Sequence, residues 1–275
     1  MDRSVGLIGA GNMGEAMLRG LLASGTVPAD RCWLTNKSND ERLARLAREW
    51  RVRTTRDKAR LMSASQVVVL AVKPADMPGV LEEIAPHAEP RHLIVSVAAG
   101  VPLERIERHL GRVPAVRAMP NTSSAVGASA TAICPGRWAG NGHLATAREV
   151  FAAIGRVVVV PEALFDAVTG LSGSGPAYVY LLAEAMVDAG LRAGLSRDVA
   201  LALVSQTILG AGRMLAETDE DPAVLRSRVT SPGGTTMAGI RALEEGGFRA
   251  AVRHAVERAA ERSRELRGAP AHPTG

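Results

Sequence analysis

The sequence predicts an α/β protein in which an N-terminal domain of alternating strands and helices, residues 1–161, is followed by an all-α domain, residues 162–275. Three observations support this fold class. Short apolar runs of strand length alternate with helical patterns up to Pro161. A glycine-rich turn at Gly9–Gly14 joins the first strand pattern to the first helical pattern. Beyond Pro161 long apolar helical patterns replace the strand patterns.

The composition favours a globular protein, and the cysteine usage and apolar stretches lead us to expect a cytoplasmic one. The 275 residues are 47% apolar and only 3% aromatic, which is typical of a packed globule and not of a disordered chain. The net charge of +5 invites a nucleic-acid partner, but the arginines alternate with acidic residues along helices and form no basic patch with aromatic residues. We therefore expect no nucleic-acid partner. The longest apolar stretches, such as Ala177–Val187, are shorter than the roughly 20 residues of a membrane span. Cys32 and Cys134 fit no disulfide or metal pattern and are expected in the core.

The first unit of the N-terminal domain has the pattern of a dinucleotide-binding turn. The apolar run Val5–Ile8 predicts a strand, and a helical pattern continues to Leu22. Between them, the spacing Gly9-Ala10-Gly11-Asn12-Met13-Gly14 gives each glycine a distinct task. The first makes the turn, the second admits a pyrophosphate, and the third lets the helix pack closely on the strand. This strand–turn–helix context predicts a Rossmann-like dinucleotide-binding domain.

The end of the second predicted strand, Arg31–Thr35, bears on the choice of dinucleotide. A carboxylate there would bind the ribose 2′-hydroxyl of NAD, but the sequence continues with Asn36, Lys37 and Ser38. Polar and cationic side chains suit a 2′-phosphate, so NADPH is expected and NADH remains possible. Two features leave the choice open, because Lys37 could be a solvated loop charge and Asp40 is near in sequence.

Other predicted strands of this domain also end in polar or small residues, where ligands bind in open α/β sheets. The continuous apolar run Gln66–Val72 is typical of a central parallel strand, and it ends at Lys73-Pro74. A second buried strand ends at Ala98-Ala99-Gly100, where small residues let a flat ring approach the backbone. The predicted strands are Val52–Thr54, Leu93–Val97, Ala115–Ala118 (followed by Met119–Thr122), Ala130–Cys134 and Arg156–Val160, and the predicted helices are Asn39–Trp50 and His143–Ile154.

The all-α domain contains a helix that is apolar almost all round. The segment Ala177–Ala189 must therefore be buried on every side. One small bundle of some 110 residues cannot bury so apolar a helix completely, and a subunit interface is the simplest way to cover it. A homodimer or larger assembly is therefore expected. The predicted helices are Leu164–Leu171, Ala177–Ala189, Arg197–Glu217, Pro222–Val229 and those that follow Gly234.

The turn Ser231–Thr236 is a candidate anion site between two helices. Adjacent Gly233 and Gly234 allow a ligand to approach the backbone, and a following helix would direct its unpaired N–H groups towards a small anion. Thr235 and Thr236 add hydroxyls that can donate or accept. The alternative is an ordinary helix–helix connection in which Thr235 caps the second helix.

The remaining candidates for chemistry are weak. The six histidines show no metal-ligand spacing, so no metal is expected. Ser172–Pro176 lacks the spacing of a nucleophile turn and instead suggests a glycine-rich approach to a helix that begins near Pro176.

Taken together, these motifs identify a family resemblance. From Val5 to about Leu266 the chain resembles pyrroline-5-carboxylate reductases, the last enzymes of proline biosynthesis. The motifs that carry the resemblance are Ile8–Gly14, Ala71–Pro74, Val97–Gly100, Met119–Thr122, Asp166–Tyr178 and Val229–Thr236. The first is shared with dinucleotide-binding enzymes in general, and the last two are highly specific to this family.

The resemblance implies NADPH-dependent hydride transfer to the cyclic imine Δ1-pyrroline-5-carboxylate, giving L-proline, with a helical domain that interlocks with its twin. It also implies an active site that combines the cofactor domain of one subunit with helical-domain residues of the other. On the cofactor side it implies Gly9, Ala10, Gly11, Asn12, Met13, Gly14, Asn36, Lys37, Asp57, Ala71, Val72, Lys73, Pro74, Ala98, Ala99 and Asn121. On the substrate side it implies Glu162, Ser231, Gly233, Gly234, Thr235 and Thr236, with the Thr236 hydroxyl near the imine nitrogen.

Three positions depart from the family pattern: Asp57 where many relatives have Asn, Ser123 where Pro is usual, and Arg228 at a variable position. Two other functions compete with the reductase. A β-hydroxyacid-type dehydrogenase would need a catalytic lysine in its second domain, and this sequence has no lysine after Lys73. A non-enzymatic NAD(P)-binding regulator would not need an intact substrate turn, whereas Ser231–Thr236 is intact in this sequence.

Overall fold

The computed structural model describes residues 3–268, and the predicted strands come together in one eight-stranded sheet. Strand β4 is the centre of this sheet, and all four of its residues are buried, as its continuous apolar sequence predicts. The strands are β1 (Val5–Ile8), β2 (Cys32–Thr35), β3 (Arg53–Thr54), β4 (Val67–Leu70), β5 (Leu93–Ser96), β6 (Ala115–Met119), β7 (Ser129–Pro135) and β8 (Gly155–Val159).

The strand order creates a crevice at one edge of the sheet. The order is β3-β2-β1-β4-β5-β6-β7-β8, and every neighbouring pair is parallel except β6 with β7. The chain leaves β1 towards β2 on one side and returns to place β4 on the other, in register from Val5 opposite Val67 to Ile8 opposite Leu70. The carboxyl ends of β1 and β4 therefore flank a topological switch point, where ligands bind in open α/β sheets.

Helices cover both faces of the sheet. Alternate residues of β4 separate into two apolar clusters, with Val67 and Val69 on one face and Val68 and Leu70 on the other. Cys32 lies in the first cluster, and burial, with the nearby charge of Asp30, raises the pKa of its thiol to about 12. The helices of this region are α1 (Asn12–Ala23), α2 (Asp40–Trp50), α3 (Lys58–Ala64), α4 (Met77–Ile84), α5 (Leu103–Leu110), α6 (Asn141–Ala152) and α7 (Phe165–Val168).

The rest of the chain is helical, as predicted, and β8 is the last strand of residues 3–268. The single helix expected at Leu164–Leu171 is wrong in detail, because α7 ends at Val168 and a π-helical segment, Thr169–Gly173, follows it. The helices that follow are α8 (Gly175–Arg192), α9 (Arg197–Glu217), α10 (Pro222–Arg228), α11 (Thr235–Glu245) and α12 (Phe248–Gly268).

The contacts divide the chain into two compact units. One comprises the residues up to Ser174 and those from Glu257 onward, and the other comprises Gly175–Val256. The domain boundary near residue 161, which the sequence places at the end of the strand patterns, stays a prediction.

Helix α8 is apolar but exposed within a single chain. Of its described residues the chain itself buries only Val187, whereas Leu181 is 67% exposed. Helix α9 has the same character, and by length and composition it could cross a membrane, which corrects the expectation that no stretch is long enough. Two neighbouring helices thus present a large apolar surface of the kind that a subunit interface covers.

Candidate functional site

The turn between β1 and α1 has the geometry that its glycine spacing predicts. Gly9 adopts a φ of +112°, and a Cβ there would lie 2.4 Å from the carbonyl oxygen of Ala71. A Cβ on Gly14 would lie 2.0 Å from the carbonyl oxygen of Gly9, so the helix packs against the turn too closely for any side chain. A Cβ on Gly11, by contrast, would meet no protein atom within 4 Å. The turn is therefore closed on the protein side and open on the ligand side.

The N-terminus of α1 faces that open side without a side-chain cap. Gly11 is the N-cap residue and offers no side-chain acceptor, which leaves the first N–H groups of the helix for an anion. Glu15 in the first turn would repel an anion, but its carboxylate pairs with Arg42 at 2.7 Å and with Arg45 at 2.8 Å. Burial raises the pKa of Glu15, and the hydrogen bonds from Arg45 and Arg42 outweigh burial, so the net pKa lies below its ordinary value.

A cavity of about 490 Å³ opens at the carboxyl ends of β1, β2 and β4, at the switch point of the sheet. Seven residues predicted from the sequence to bind the cofactor line this cavity: Gly9, Gly11, Asn36, Lys37, Ala71, Val72 and Lys73. Nine others lie outside the lining: Ala10, Asn12, Met13, Gly14, Asp57, Pro74, Ala98, Ala99 and Asn121.

The sequence prediction missed several lining residues, of which Lys58 and Glu83 are the most informative. Lys58 begins α3, with three residues between it and the end of β3, and Glu83 belongs to α4. A signal for Lys58 was present, since this chain has only three lysines and Lys58 lies four residues after the end of the predicted strand Val52–Thr54. The other lining residues not predicted are Ile8, Thr35, Ser38, Ala75, Asp76, Gly79 and Val80.

The charges beside the cavity favour an anionic group at the end of β2. The nearest carboxylate in sequence, Asp40, is held by Arg56, whose Nε donates at 2.7 Å. Arg56 also donates to the carbonyl oxygen of Lys37 at 2.7 Å, and the Lys37 ammonium lies 3.1 Å from Asp76. The carboxylate of Asp40 is therefore paired with Arg56, and the end of β2 presents the amide of Asn36 and the ammonium of Lys37, which is itself paired with Asp76.

Asp57 and Asn121 both cap helical segments. Asp57 accepts from the backbone N–H groups of Ala59 and Arg60 and is the N-cap of α3. Asn121 accepts from the N–H of Ser123 at 3.2 Å and donates to the carbonyl oxygen of Ser172 at 3.0 Å. Proline at position 123 would lack that N–H. The cofactor roles of Asp57 and Asn121 stay predictions.

Glu162, predicted on the substrate side, is half-buried and engaged in an ion pair with a buried arginine. Its Oε1 accepts from Arg117 at 3.0 Å and from the N–H of Leu103 at 2.8 Å. Arg117 is 1% exposed and lies over the ring of Phe165, 4.6 Å from its centroid. The carboxylate thus joins β6 to the start of α5, and its role as a substrate ligand stays a prediction.

The second candidate feature, the turn Ser231–Thr236, lies in the unit Gly175–Val256 and is exposed apart from Gly234, which is half-buried. The N–H of Gly234 donates to the carbonyl oxygen of Ser231 at 3.0 Å, and Gly233 has a φ of +71°. Helix α11 begins at Thr235 with Gly234 as its N-cap and without a side-chain cap. The alternative in which Thr235 is the N-cap is therefore wrong, because Thr235 is the first helical residue.

Both features can bind anions through uncapped helix N-termini, and the first fits a dinucleotide. Its open glycine, its cavity at the switch point and its cationic lining form a cradle in which a pyrophosphate would meet no Cβ.

Comparison with known proteins agrees with this geometry. A family model described as pyrroline-5-carboxylate reductase dimerisation matches residues 162–266, and one described as NADP oxidoreductase, coenzyme F420-dependent, matches residues 4–100. The chain is 41% identical over 266 residues to pyrroline-5-carboxylate reductase 2 of Bacillus subtilis, with 96% of this chain and 95% of the relative covered. It is 43% identical to pyrroline-5-carboxylate reductase of Arabidopsis thaliana, with 95% of each chain covered.

Solved structures give the same result over the whole fold. A pyrroline-5-carboxylate reductase from Coxiella burnetii superposes with a TM-score of 0.92 at 38% identity, covering 98% of this chain and 100% of that chain. The Plasmodium falciparum pyrroline carboxylate reductase with NADP bound superposes with a TM-score of 0.85 at 28% identity, covering 97% of this chain and 99% of that chain.

Proposed function

This chain belongs to the family of pyrroline-5-carboxylate reductases, and on that premise we infer that it reduces Δ1-pyrroline-5-carboxylate to L-proline with NADPH. The observation that carries this conclusion is the full-length likeness, about 40% identity, to enzymes of this name, which includes the substrate turn as well as the general dinucleotide fold. The competing function, a β-hydroxyacid-type dehydrogenase, would need a catalytic lysine in the second domain, and this sequence has no lysine after Lys73.

NADPH supplies a hydride from its nicotinamide when bound, and the protein provides position and electrostatics. The first N–H groups of α1 receive the pyrophosphate at Gly11, where no Cβ intrudes. Asn36 and Lys37 receive the 2′-phosphate of the adenosine ribose, and Ala71–Lys73 line the cavity beside them. The preference for NADPH rests on the pairing of Asp40 with Arg56, which leaves the end of β2 without a free carboxylate.

The substrate turn supplies the contacts to the pyrroline ring. The uncapped N–H groups at the start of α11 bind the substrate carboxylate, in the way that helix N-termini bind small anions. The hydroxyl of Thr236 holds the ring nitrogen, with Ser231, Gly233, Gly234 and Thr235 completing the turn. Because the imine nitrogen can arrive already protonated, no strong acid or base is required, and the chain contributes mainly orientation.

The enzyme is a homo-oligomer, since the dimerisation model spans the helices whose apolar surfaces are exposed in one chain. We propose that α8 and α9 form the interface of a homodimer or larger assembly. On this proposal the apolar length of α9 serves subunit contact and not membrane insertion. We also propose a cytoplasmic location, with no membrane or nucleic-acid partner.

A steady-state assay tests this function. Purified full-length protein should oxidise NADPH only when Δ1-pyrroline-5-carboxylate is present, with proline as the product and a lower KM for NADPH than for NADH. Folded protein that turns over with neither nucleotide would contradict the reductase, and activity on β-hydroxy acids instead would support the competing dehydrogenase.

A further inference from the structure

The cavity lining contains a lysine, Lys58, that is not among the predicted cofactor residues. Lys58 and Glu83 face each other across the lining, and the Lys58 ammonium lies 2.5 Å from the Glu83 carboxylate. Lys58 is the first residue of α3, which follows β3, while Glu83 lies in the last turn of α4. This ion pair lines the same cavity as Asn36 and Lys37, and β3, which precedes Lys58, is the neighbour of β2, which precedes Asn36.

We propose that Lys58 is a specificity-determining residue that binds the 2′-phosphate of NADPH, and that Glu83 is its internal counter-ion, which competes with that phosphate. The proposal rests on the proposed NADPH-dependent function and names a residue of its cofactor site.

The surroundings of Lys58 make it a better phosphate ligand than Lys37. The Lys58 side chain is only 19% exposed, whereas the Lys37 side chain is 82% exposed. An exposed lysine loses side-chain freedom when it binds and is screened by salt, so its contribution is small. A lysine held against the protein loses less freedom and acts in a medium of lower dielectric constant.

The charge balance of the lining explains why Glu83 matters. The lining holds the three lysines 37, 58 and 73 and the two carboxylates of Asp76 and Glu83, so one positive charge is in excess. A 2′-phosphate brings close to two negative charges. When no phosphate is bound, Glu83 therefore neutralises the charge of Lys58. When the 2′-phosphate binds, the Glu83 carboxylate repels it. An uncharged residue at position 83 should shift the balance towards the phosphate.

Calorimetric titration of the full-length protein with 2′,5′-ADP and with 5′-ADP isolates this contact, because only the first ligand carries a 2′-phosphate. For Lys58→Met the affinity for 2′,5′-ADP should fall about tenfold to a hundredfold, the usual range for loss of a hydrogen bond to a charged group. The affinity for 5′-ADP should stay within about twofold of the parent. Lys58→Arg, which keeps the charge, should retain most of the discrimination. An equal fall for both ligands, or no change, would overturn the role of Lys58.

Glu83→Gln should tighten 2′,5′-ADP binding by at least about threefold, which is the effect of removing one like charge about 6 Å away at the dielectric constant of bulk water. Glu104→Gln is the matched control, because it changes the net charge equally in an exposed pair with Arg108 outside the cavity lining. Its affinity should match the parent. The gain from Glu83→Gln should be smaller in the double variant with Lys58→Met, because direct repulsion of the phosphate remains there but competition for the lysine does not. A gain of undiminished size in the double variant would overturn the counter-ion role.

These titrations also separate the inference from the function on which it rests. If the parent binds neither nucleotide, the assigned cofactor cavity is wrong, and the proposal falls with it. If the parent binds 2′,5′-ADP more tightly than 5′-ADP but Lys58→Met does not change this, the cofactor site stands and only the proposal is refuted. Thermal melting of each variant checks that it is folded.

Discussion

The geometry of the glycine turn predicts different effects for two alanine substitutions three residues apart. Gly14→Ala should lower stability, and Gly11→Ala should weaken NADPH binding. At Gly14 the added methyl would lie 2.0 Å from the carbonyl oxygen of Gly9, about 1 Å closer than real Cβ atoms come to such a neighbour. Helix α1 must then move away from β1. Overpacking of this kind costs about 1–3 kcal/mol, which lowers the Tm of a chain of this size by roughly 2–12 °C.

At Gly11 the methyl meets no protein atom within 4 Å, and its φ of −72° suits alanine. Loss of a glycine N-cap costs about 1 kcal/mol or less, so the Tm should fall by no more than roughly 4 °C. The methyl would instead occupy the open side of the turn. If the pyrophosphate binds there, displaced charge-assisted hydrogen bonds of about 1.5–3 kcal/mol should weaken NADPH binding roughly tenfold to a hundredfold.

Calorimetric titration with NADPH and thermal melting on Gly11→Ala and Gly14→Ala measure the two effects separately. Gly142→Ala is the matched control, because its Cβ also meets no atom within 4 Å but it lies in α6, outside the cavity lining. It should bind NADPH like the parent. A Gly11→Ala protein that binds NADPH with parental affinity would refute the assignment of the pyrophosphate to this turn.

Three further predictions concern the cofactor choice, the substrate turn and pH. Asn36→Asp should narrow or reverse the preference for NADPH, because a carboxylate repels the 2′-phosphate; unchanged KM values for NADPH and NADH would count against this. Thr236→Ala should lower kcat/KM for the pyrroline substrate about tenfold to a hundredfold with KM for NADPH nearly constant, and Thr236→Ser should restore much of it. A destabilised Thr236→Ala enzyme with normal kinetics would leave Thr236 a purely structural residue. Glu15→Gln should lower stability by about 1 kcal/mol at neutral pH, because the folded pKa of Glu15 is depressed and its stabilisation is present above the unfolded pKa. The gap in Tm should close as the pH falls through the folded pKa, and a gap of constant size would contradict the role of the Arg42 and Arg45 pairs.

Much of the fold could be predicted because burial leaves a clear sequence pattern. The sheet-forming runs are short, apolar and bounded by glycine, proline or polar residues, so β1, β4 and β5 lie within two residues of their predicted bounds. Helices α3, α4 and α5 were not assigned; each is seven or eight residues long and spans about two turns, a length at which the helical pattern is short, although α10, also of seven residues, was predicted. The π-helical segment at Thr169 could not be foreseen, because its sequence continues an ordinary helical pattern.

The site was predictable where chemistry depends on consecutive residues and not where it depends on pairs distant in sequence. The glycine turn and the threonine turn each lie in six residues, so their spacing alone suggested a function. Arg56 with Asp40, Lys58 with Glu83, and Arg117 with Glu162 are 16 to 45 residues apart. Such pairs are set by the order of strands in the sheet, which no local pattern contains. For the same reason the structural contacts of Glu162 with Arg117 and Leu103 could not be distinguished in the sequence from those of a substrate ligand.

The central claim is that this chain transfers a hydride from NADPH to the ring carbon of a cyclic imine, and isotope transfer tests it most directly. NADPH deuterated at C4, in each of its two stereochemical forms, would be supplied with Δ1-pyrroline-5-carboxylate, and the proline formed would be examined by mass spectrometry. The account predicts one proline per NADPH consumed, with a single deuterium at C5 from one of the two forms. Proline that is unlabelled from both forms, or NADPH consumed without proline, would contradict it.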